Sequence, residues 1–288
     1  MWLVLGGDGQ LGQSLQAALT SRNMPFTALG RRDVDITKMN DVSTAVKDLS
    51  PSVIVNAAAW TAVDAAEDDE DGAYNVNCLG AGRVAVVAAA NAATLVHIST
   101  DYVFTGTSHT PFREDDATAP VSAYGRTKLA GEHAVRLAHP DGSLIVRTAW
   151  LYSQFGHNFA RTMAHKALAQ QPVRVVNDQS GQPTLATDLA DHIIELVAAK
   201  ASVGTYHGTN SGECTWFEFA SEIFRLMGSD TSLVSAVPST EYPTRASRPP
   251  YSVLAHGNTE RVGIAPMRPW LEALTEAIPH IIAGLDQE

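Results

Sequence analysis

Met1-Trp2-Leu3-Val4-Leu5-Gly6-Gly7-Asp8-Gly9-Gln10-Leu11-Gly12 is the stretch whose reading decides the fold. An apolar run over residues 3–5 is followed at once by a glycine loop, and a helix-periodic pattern over residues 10–22 follows the loop. Gly6, Gly9 and Gly12 stand in a G-x-x-G-x-x-G spacing. The first allows a tight turn off the strand. The second lets the backbone approach a pyrophosphate, and the third lets the helix pack on the sheet. Gln10 and Leu11 lie in the first turn of that helix, where free amides and the positive end of the helix dipole favour a phosphate. The stretch reads as a strand–loop–helix cradle for a dinucleotide.

Outward from the cradle, strands and helices alternate. Strands are expected at 3–5, 26–29, 53–56, 95–99 and 144–147, and helices at 10–22, 39–49, 74–91 and 122–137. This order predicts an α/β fold with a Rossmann-type, doubly wound parallel sheet. Past about residue 150 the pattern changes. Helices are expected at 159–169, 188–199, 216–227 and 270–282, separated by loops containing Gly181-Gln182-Pro183-Thr184 and Ser247-Arg248-Pro249-Pro250. The expected organisation is a dinucleotide-binding domain over 1–150 and a smaller, mainly helical substrate lobe over 151–288, with interleaving of the two left open.

The composition narrows the partners. With 288 residues, 45% of them apolar, the chain can build a full core. A net charge of −11 argues against a nucleic-acid surface, but not against a nucleotide held by one helix end and a few local cations. Part of the acid excess is one run, Glu67-Asp68-Asp69-Glu70-Asp71, which reads as a solvated loop leading into a helix whose N-terminus favours negative charge. Cys78 and Cys214 are far apart and fit neither a disulfide framework nor a metal spacing. No stretch has the length of an apolar membrane span, and the N-terminus lacks a signal-peptide layout, so a cytoplasmic protein is expected.

The second strand ends in Leu29-Gly30-Arg31-Arg32, where an acidic residue would favour NAD. Two guanidinium groups suit a 2′-phosphate instead, so Arg31 and Arg32 point to NADPH, with use of NADH left open. In Asp35-Ile36, the carboxylate can accept from the adenine amino group while Ile36 covers the ring. Ala57, Ala58 and Ala59 are small enough for backbone to lie against a cofactor, and Trp60 and Thr61 would line its far side.

Tyr124 and Lys128 stand at i and i+4 and share a helix face. An ammonium beside a phenol is expected to lower the phenol pKa, making Tyr124 a general acid/base, and the lysine can also bond a nicotinamide ribose. Ser99-Thr100 ends a strand at the edge where such sheets bind ligands, so Thr100 would bring a hydroxyl to the reacting oxygen. Thr100, Tyr124 and Lys128 together point to hydride transfer. His157, His165 and His207 are candidates by residue type alone, and His97, mid-strand, reads as buried and hydrogen-bonded.

These features resemble the extended short-chain dehydrogenase/reductase superfamily, and finer motifs resemble the dTDP-4-dehydrorhamnose reductases within it. The motifs are Asn56-Ala57-Ala58-Ala59-Trp60-Thr61-Ala62-Val63-Asp64, Ser99-Thr100-Asp101-Tyr102-Val103-Phe104, Tyr124-Gly125-Arg126-Thr127-Lys128-Leu129-Ala130-Gly131-Glu132, Arg147-Thr148-Ala149-Trp150, Asn177-Asp178-Gln179 and Ala246-Ser247-Arg248-Pro249. The resemblance implies NADPH-dependent reduction of the 4-keto group of dTDP-4-dehydro-β-L-rhamnose to dTDP-L-rhamnose. It implies that Thr100 and Asp101 touch the sugar, that Tyr124 gives the proton and that Lys128 holds the ribose. Trp150 would pack its aromatic face on the sugar, and Tyr102 would adjust Tyr124. Trp60 departs from the family pattern, which often has His there. Some members form a magnesium-linked dimer. Its acidic ligands are not identifiable in this sequence, so no metal is expected to be required, a need for Mg2+ stays open, and monomer and homodimer both remain.

Three alternatives stay in view. A nucleotide-sugar 4,6-dehydratase or epimerase would share the cradle and the Tyr/Lys pair, but a dehydratase typically has Asp then Glu after the strand-four Thr, and Tyr102 stands at the second of those positions. A reductase of another dTDP-4-keto-6-deoxy sugar would look nearly the same. A non-catalytic relative of this fold serves as a regulatory subunit of methionine adenosyltransferase, against which the intact Thr100, Tyr124 and Lys128 argue.

Overall fold

β1 (Trp2–Leu5), β2 (Phe26–Leu29), β3 (Val53–Asn56), β4 (Thr94–Thr100), β5 (Ser143–Thr148) and an edge strand, Gly204–His207, form one six-stranded sheet. The structure is a computed structural model and describes residues 1–285. The strand order is β2-β1-β3-β4-β5-edge and every pairing is parallel. β1, β3 and β5 are buried along their whole length, as inner strands of a sheet covered by helices on both faces are.

α1 (Gln10–Ser21) and α2 (Met39–Leu49) make the first two crossovers. α3 (Val63–Asp68), α4 (Glu70–Tyr74) and α5 (Ala81–Ala90) fill the third, and α6 (Ala123–Ala138) the fourth. Alternation along β1 divides the core. Trp2 and Val4 pack with Leu11 and Leu15 of α1, whereas Leu3 and Leu5 pack with Val42 of α2 and Val84 of α5. The strand order reverses between β1 and β3, so a crevice opens beyond their C-terminal ends.

A second hydrophobic core is built from α7 (Phe159–Leu168), α9 (Trp216–Leu226) and α10 (Trp270–Leu285) around Met163, Phe219, Ile223, Leu274 and Ile278. A short parallel pair, Val173–Val176 with Val234–Val237, flanks them. Between these elements the chain returns to the sheet. The intervening helix α8 (Ala186–Ala198) packs on α1 and leads to the edge strand beside β5. Thr205 and His207 interrupt the apolar pattern of that strand, which hid it from a sequence reading.

The helix expected over 74–91 is not uniform. It begins at Glu70 because the Asp69 carboxylate caps the Gly72 amide at 2.9 Å, and it passes through a π turn, Asn75–Gly80, before α5. The wider turn sets the buried Asn77 side chain between the Trp60 backbone and Thr127 of α6.

Candidate active site

A cleft of about 780 Å³ lies over the C-terminal ends of β1, β3, β4 and β5. It is lined at one end by Gly6, Gly9, Gln10, Leu11 and Arg31, along the middle by Ala57, Ala58, Ala59 and Thr61, and at the other end by Thr100, Tyr124, Lys128 and Trp150. Asp35, Ile36, Asp101 and Tyr102 line it too. Apart from Arg32 and the candidate histidines His165 and His207, the residues singled out from the sequence for cofactor or substrate contact therefore face one space.

The cradle is sterically committed to glycine. Gly6 has φ +83°, and a Cβ there would lie 2.7 Å from the Ala58 amide nitrogen. A Cβ on Gly12 would lie 2.2 Å from the Gly6 carbonyl oxygen. Gly9 stands at the N-cap of α1 and no side chain caps that helix, leaving its first-turn amides for a ligand anion.

Arg31 and Arg32 are both exposed, but only Arg31 lines the cleft. Asp35 is partly engaged locally: Oδ1 accepts from the Thr37 amide at 3.0 Å and from its hydroxyl at 2.7 Å. Those bonds hold its carboxyl below the usual carboxylate range. Ile36 is almost fully buried against the α2–α5 side of the core, with its edge at the cleft.

The N-terminus of α6 is fixed twice. The Ser122 hydroxyl accepts from the Gly125 amide at 3.2 Å, and the Glu67 carboxylate accepts from the Ala123 amide at 2.8 Å. Glu70 adds a two-pronged bond to Arg126 at 2.9 and 2.7 Å. The acid run expected to be a solvated loop is thus, at Glu67 and Glu70, a clasp on the helix that carries Tyr124. Sequence gave no pairing signal because the partners lie 56 positions away.

Deeper in, Glu132 of α6 is fully buried and makes a bidentate pair with Arg147 of β5, both bonds 2.8 Å, and accepts from Ser99 of β4 at 2.6 Å. The Lys128 ammonium donates to the Ile98 carbonyl at 2.6 Å. These bonds lock one face of α6 to β4 and β5. Burial lowers the Lys128 pKa to about 8.

Tyr124 corrects one expectation. Its phenol pKa is pushed up, not down: enclosure in the cleft wall is the largest cause, and the Thr100 hydroxyl, hydrogen-bonded to it, only partly offsets that. Neighbouring Asp101 and Tyr102 push the same way as burial. Lys128, whose ammonium is turned to the Ile98 carbonyl, is not among the groups that lower it. The Tyr102 ring meets the Tyr124 ring edge-on, centroids 5.6 Å apart, and its hydroxyl accepts from Arg248 at 3.1 Å. Asp101 is buried, accepts from the Thr100 hydroxyl at 2.9 Å, and has its pKa raised to about 6 by burial.

Trp150 has a partner that its sequence motif does not predict. One face of its indole is stacked on Trp216, centroids 3.6 Å apart and planes 10° off parallel. Gly181 packs so close that a Cβ there would lie 2.4 Å from Trp150 Cε2. Trp150 is thus one half of an indole pair, and Trp216, whose place in the sequence marks only the start of a helix, is the other half and lines the cleft. Of the histidines, His157 lines the cleft, His165 is exposed on α7, and His207 is buried with Nδ1 against the Ala255 carbonyl at 2.8 Å. His97 is buried beside Asn56, and burial holds its pKa well below the usual value. Among the described residues no cluster of three or more His, Cys, Asp or Glu side chains is placed to hold a metal ion, and no helix is long and apolar enough to cross a membrane.

A doubly wound parallel sheet, a glycine cradle at its switch point, and Thr100, Tyr124 and Lys128 at the far end of the cleft define a dinucleotide-dependent reductase of the short-chain dehydrogenase/reductase type. Residues 1–282 match the family described as RmlD substrate binding domain, and the chain belongs to that family. It is 47% identical to a dTDP-4-keto-6-deoxy-D-glucose reductase of Streptomyces niveus over 98% of both chains. It is 45% identical to a dTDP-4-dehydrorhamnose reductase of Streptomyces griseus, over 97% of this chain and 93% of that one. The crystal structure of dTDP-4-dehydrorhamnose reductase from Bacillus anthracis in complex with NADP superposes with a TM-score of 0.93 at 37% identity, covering 96% of this chain and 98% of that one.

Proposed function

We propose that this chain reduces the 4-keto group of dTDP-4-dehydro-β-L-rhamnose with NADPH to give dTDP-L-rhamnose, the last step of dTDP-rhamnose synthesis, in the cytoplasm. One observation carries the reading: a hydroxyl, a phenol and an ammonium, from Thr100, Tyr124 and Lys128, share one cleft with a glycine cradle, and Tyr102 stands where an eliminating enzyme would need a second carboxylate.

The residues present fit the dinucleotide. Gly6 and Gly12 leave no room for side chains in the loop, the first-turn amides of α1 are uncapped, and the exposed Arg31 borders the same space. The glycine loop would hold the pyrophosphate, Arg31 the 2′-phosphate and Lys128 the nicotinamide ribose. Lys128 spends one N–H on Ile98 and keeps two for that contact. Bound NADPH supplies the hydride.

The chain's own part is the proton. A phenol whose pKa is raised by burial stays protonated at neutral pH and is a donor, not a base, before turnover. Tyr124 gives that proton to the C4 oxygen as negative charge grows there, and the Thr100 hydroxyl, turning its one proton away from Asp101, donates to the same oxygen. Desolvation, costly for a resting phenolate, keeps the donor loaded until the reacting oxygen becomes the stronger base.

The test is NADPH consumption with dTDP-4-dehydro-L-rhamnose generated in place by a 4,6-dehydratase and a 3,5-epimerase. Consumption that requires the epimerase, with dTDP-L-rhamnose as product, supports the assignment. Consumption without the epimerase would favour a second reading, reduction of another dTDP-4-keto-6-deoxy sugar. The name of the 47%-identical Streptomyces niveus relative gives that reading its weight. NADPH binding with no turnover on either sugar would favour a non-catalytic nucleotide-binding role.

A further inference from the structure

Among the described residues, one side chain beyond Phe159 reaches the lining of the cleft, and it is Trp216. All other lining residues belong to the sheet domain or to the segment that follows β5 directly. Trp216 is firmly placed. It is the first residue of α9, and the Thr215 N-cap and Glu218 form a reciprocal capping box at its foot. Phe159 and Phe219 pack on its ring with centroids 4.6 and 6.4 Å away.

Its partner Trp150 is held in an uncommon way. The backbone there is left-handed, φ +46°, a conformation that a bulky residue adopts only when its surroundings impose it. Two contacts do so: the stack on Trp216, and the close approach of Gly181, which has no Cβ to obstruct the indole. Trp150 lies two residues beyond Thr148, and Thr148 pairs in register with Thr100. The indole pair therefore stands beside the group that meets the reacting oxygen.

We infer that Trp216 is the specificity-determining residue through which the chain beyond Phe159 reads the sugar: with Trp150 it forms an apolar wall that accepts the C–H face and 6-methyl group of a 6-deoxy hexose. The inference rests on the reductase reading above. An indole surface gains by covering a methyl group, whereas a 6-hydroxyl pressed against it would lose its water without gaining a partner. Trp216 acts on the sugar and on the setting of Trp150, not on the nucleotide or on the dinucleotide cradle at the opposite end of the cleft.

The test compares binding of dTDP-L-rhamnose, of dTDP and of NADPH by calorimetry in the wild type and in three variants. Trp216→Ala should weaken dTDP-L-rhamnose about tenfold while leaving dTDP and NADPH within about twofold, since one apolar contact to a substrate is worth about that much. Trp216→Phe should recover most of the loss. Gly181→Ala, which would bring a Cβ to 2.4 Å from Trp150 Cε2 and displace that ring, should reproduce the sugar-selective loss with Trp216 intact, and it carries the test if Trp216→Ala does not fold. Equal losses for dTDP and dTDP-L-rhamnose, or no loss, in the folded variants would overturn the inference. Failure of the wild type to bind dTDP-L-rhamnose more tightly than dTDP would instead overturn the reductase reading on which it rests.

Discussion

The Glu67 carboxylate accepts a hydrogen bond from the Ala123 amide at 2.8 Å, tying the segment after β3 to the first turn of the helix that carries Tyr124. A charged acceptor at an orphan helix amide is both a cap and a favourable partner for the helix dipole. Glu67→Ala should therefore cost about 1 kcal/mol of stability in denaturant titration. It should also lower kcat more than it raises the KM for NADPH, because it loosens Tyr124 and not the glycine loop. An unchanged kcat would mean that Ser122 alone sets the helix start.

Glu132 and Arg147 form a buried bidentate pair joining α6 to β5. Removing Arg147 leaves the buried Glu132 charge with only the half-exposed Arg136, 3.1 Å away, as its counter-ion, at a cost of up to about 3–5 kcal/mol. Arg147→Met should show that loss in urea unfolding. The double variant Arg147→Met with Glu132→Leu should regain much of it, since neither charge is then stranded. A double variant no better than the single would show that the side chains matter for shape and not for charge.

Tyr124→Phe should reduce turnover about 10²- to 10⁴-fold, the range for loss of a positioned proton donor. NADPH affinity by fluorescence titration should stay within a few-fold, because the phenyl ring still packs against Tyr102. Retained turnover would assign the proton to another group.

Arg31→Ala should cut NADPH affinity by about tenfold relative to NADH, the worth of one charge-assisted phosphate contact. Arg32→Ala should change the ratio little, because Arg32 stands outside the cleft lining. Equal effects of the two substitutions would remove the geometric distinction between them.

Asp101 has a pKa of about 6 in the fold against an ordinary 3.8, so the native state holds its proton over a window in which the unfolded chain has lost it. Stability contributed by this group is therefore greatest below pH 4 and falls as pH rises to about 6. Asp101→Asn removes the ionisation. The difference in unfolding free energy, variant minus wild type, should grow across that window by up to about 3 kcal/mol and then level off. A flat difference from pH 4 to 7 would show that Asp101 is hydrogen-bonded well enough to ionise normally.

Much of this protein was legible in the chain. The apolar strand followed by Gly6, Gly9 and Gly12 determined the first crossover, because only glycine fits where Gly12 meets the Gly6 carbonyl. The alternation of short apolar runs with helix-periodic segments determined a parallel sheet. The i, i+4 spacing put Tyr124 and Lys128 on one face, since helix geometry is local. What folding alone decided were effects of distance and desolvation. The edge strand Gly204–His207 and the clasp of Glu67 and Glu70 on α6 depend on segments brought together across the chain. The direction of the Tyr124 pKa turned on burial, which residue spacing does not encode. The stacking of Trp150 on Trp216 required segments 66 positions apart to meet, with Gly181 lacking a side chain at the point of contact. Local backbone geometry is written in short sequence; burial, and the pairings that burial enforces, exist only once the whole chain has closed.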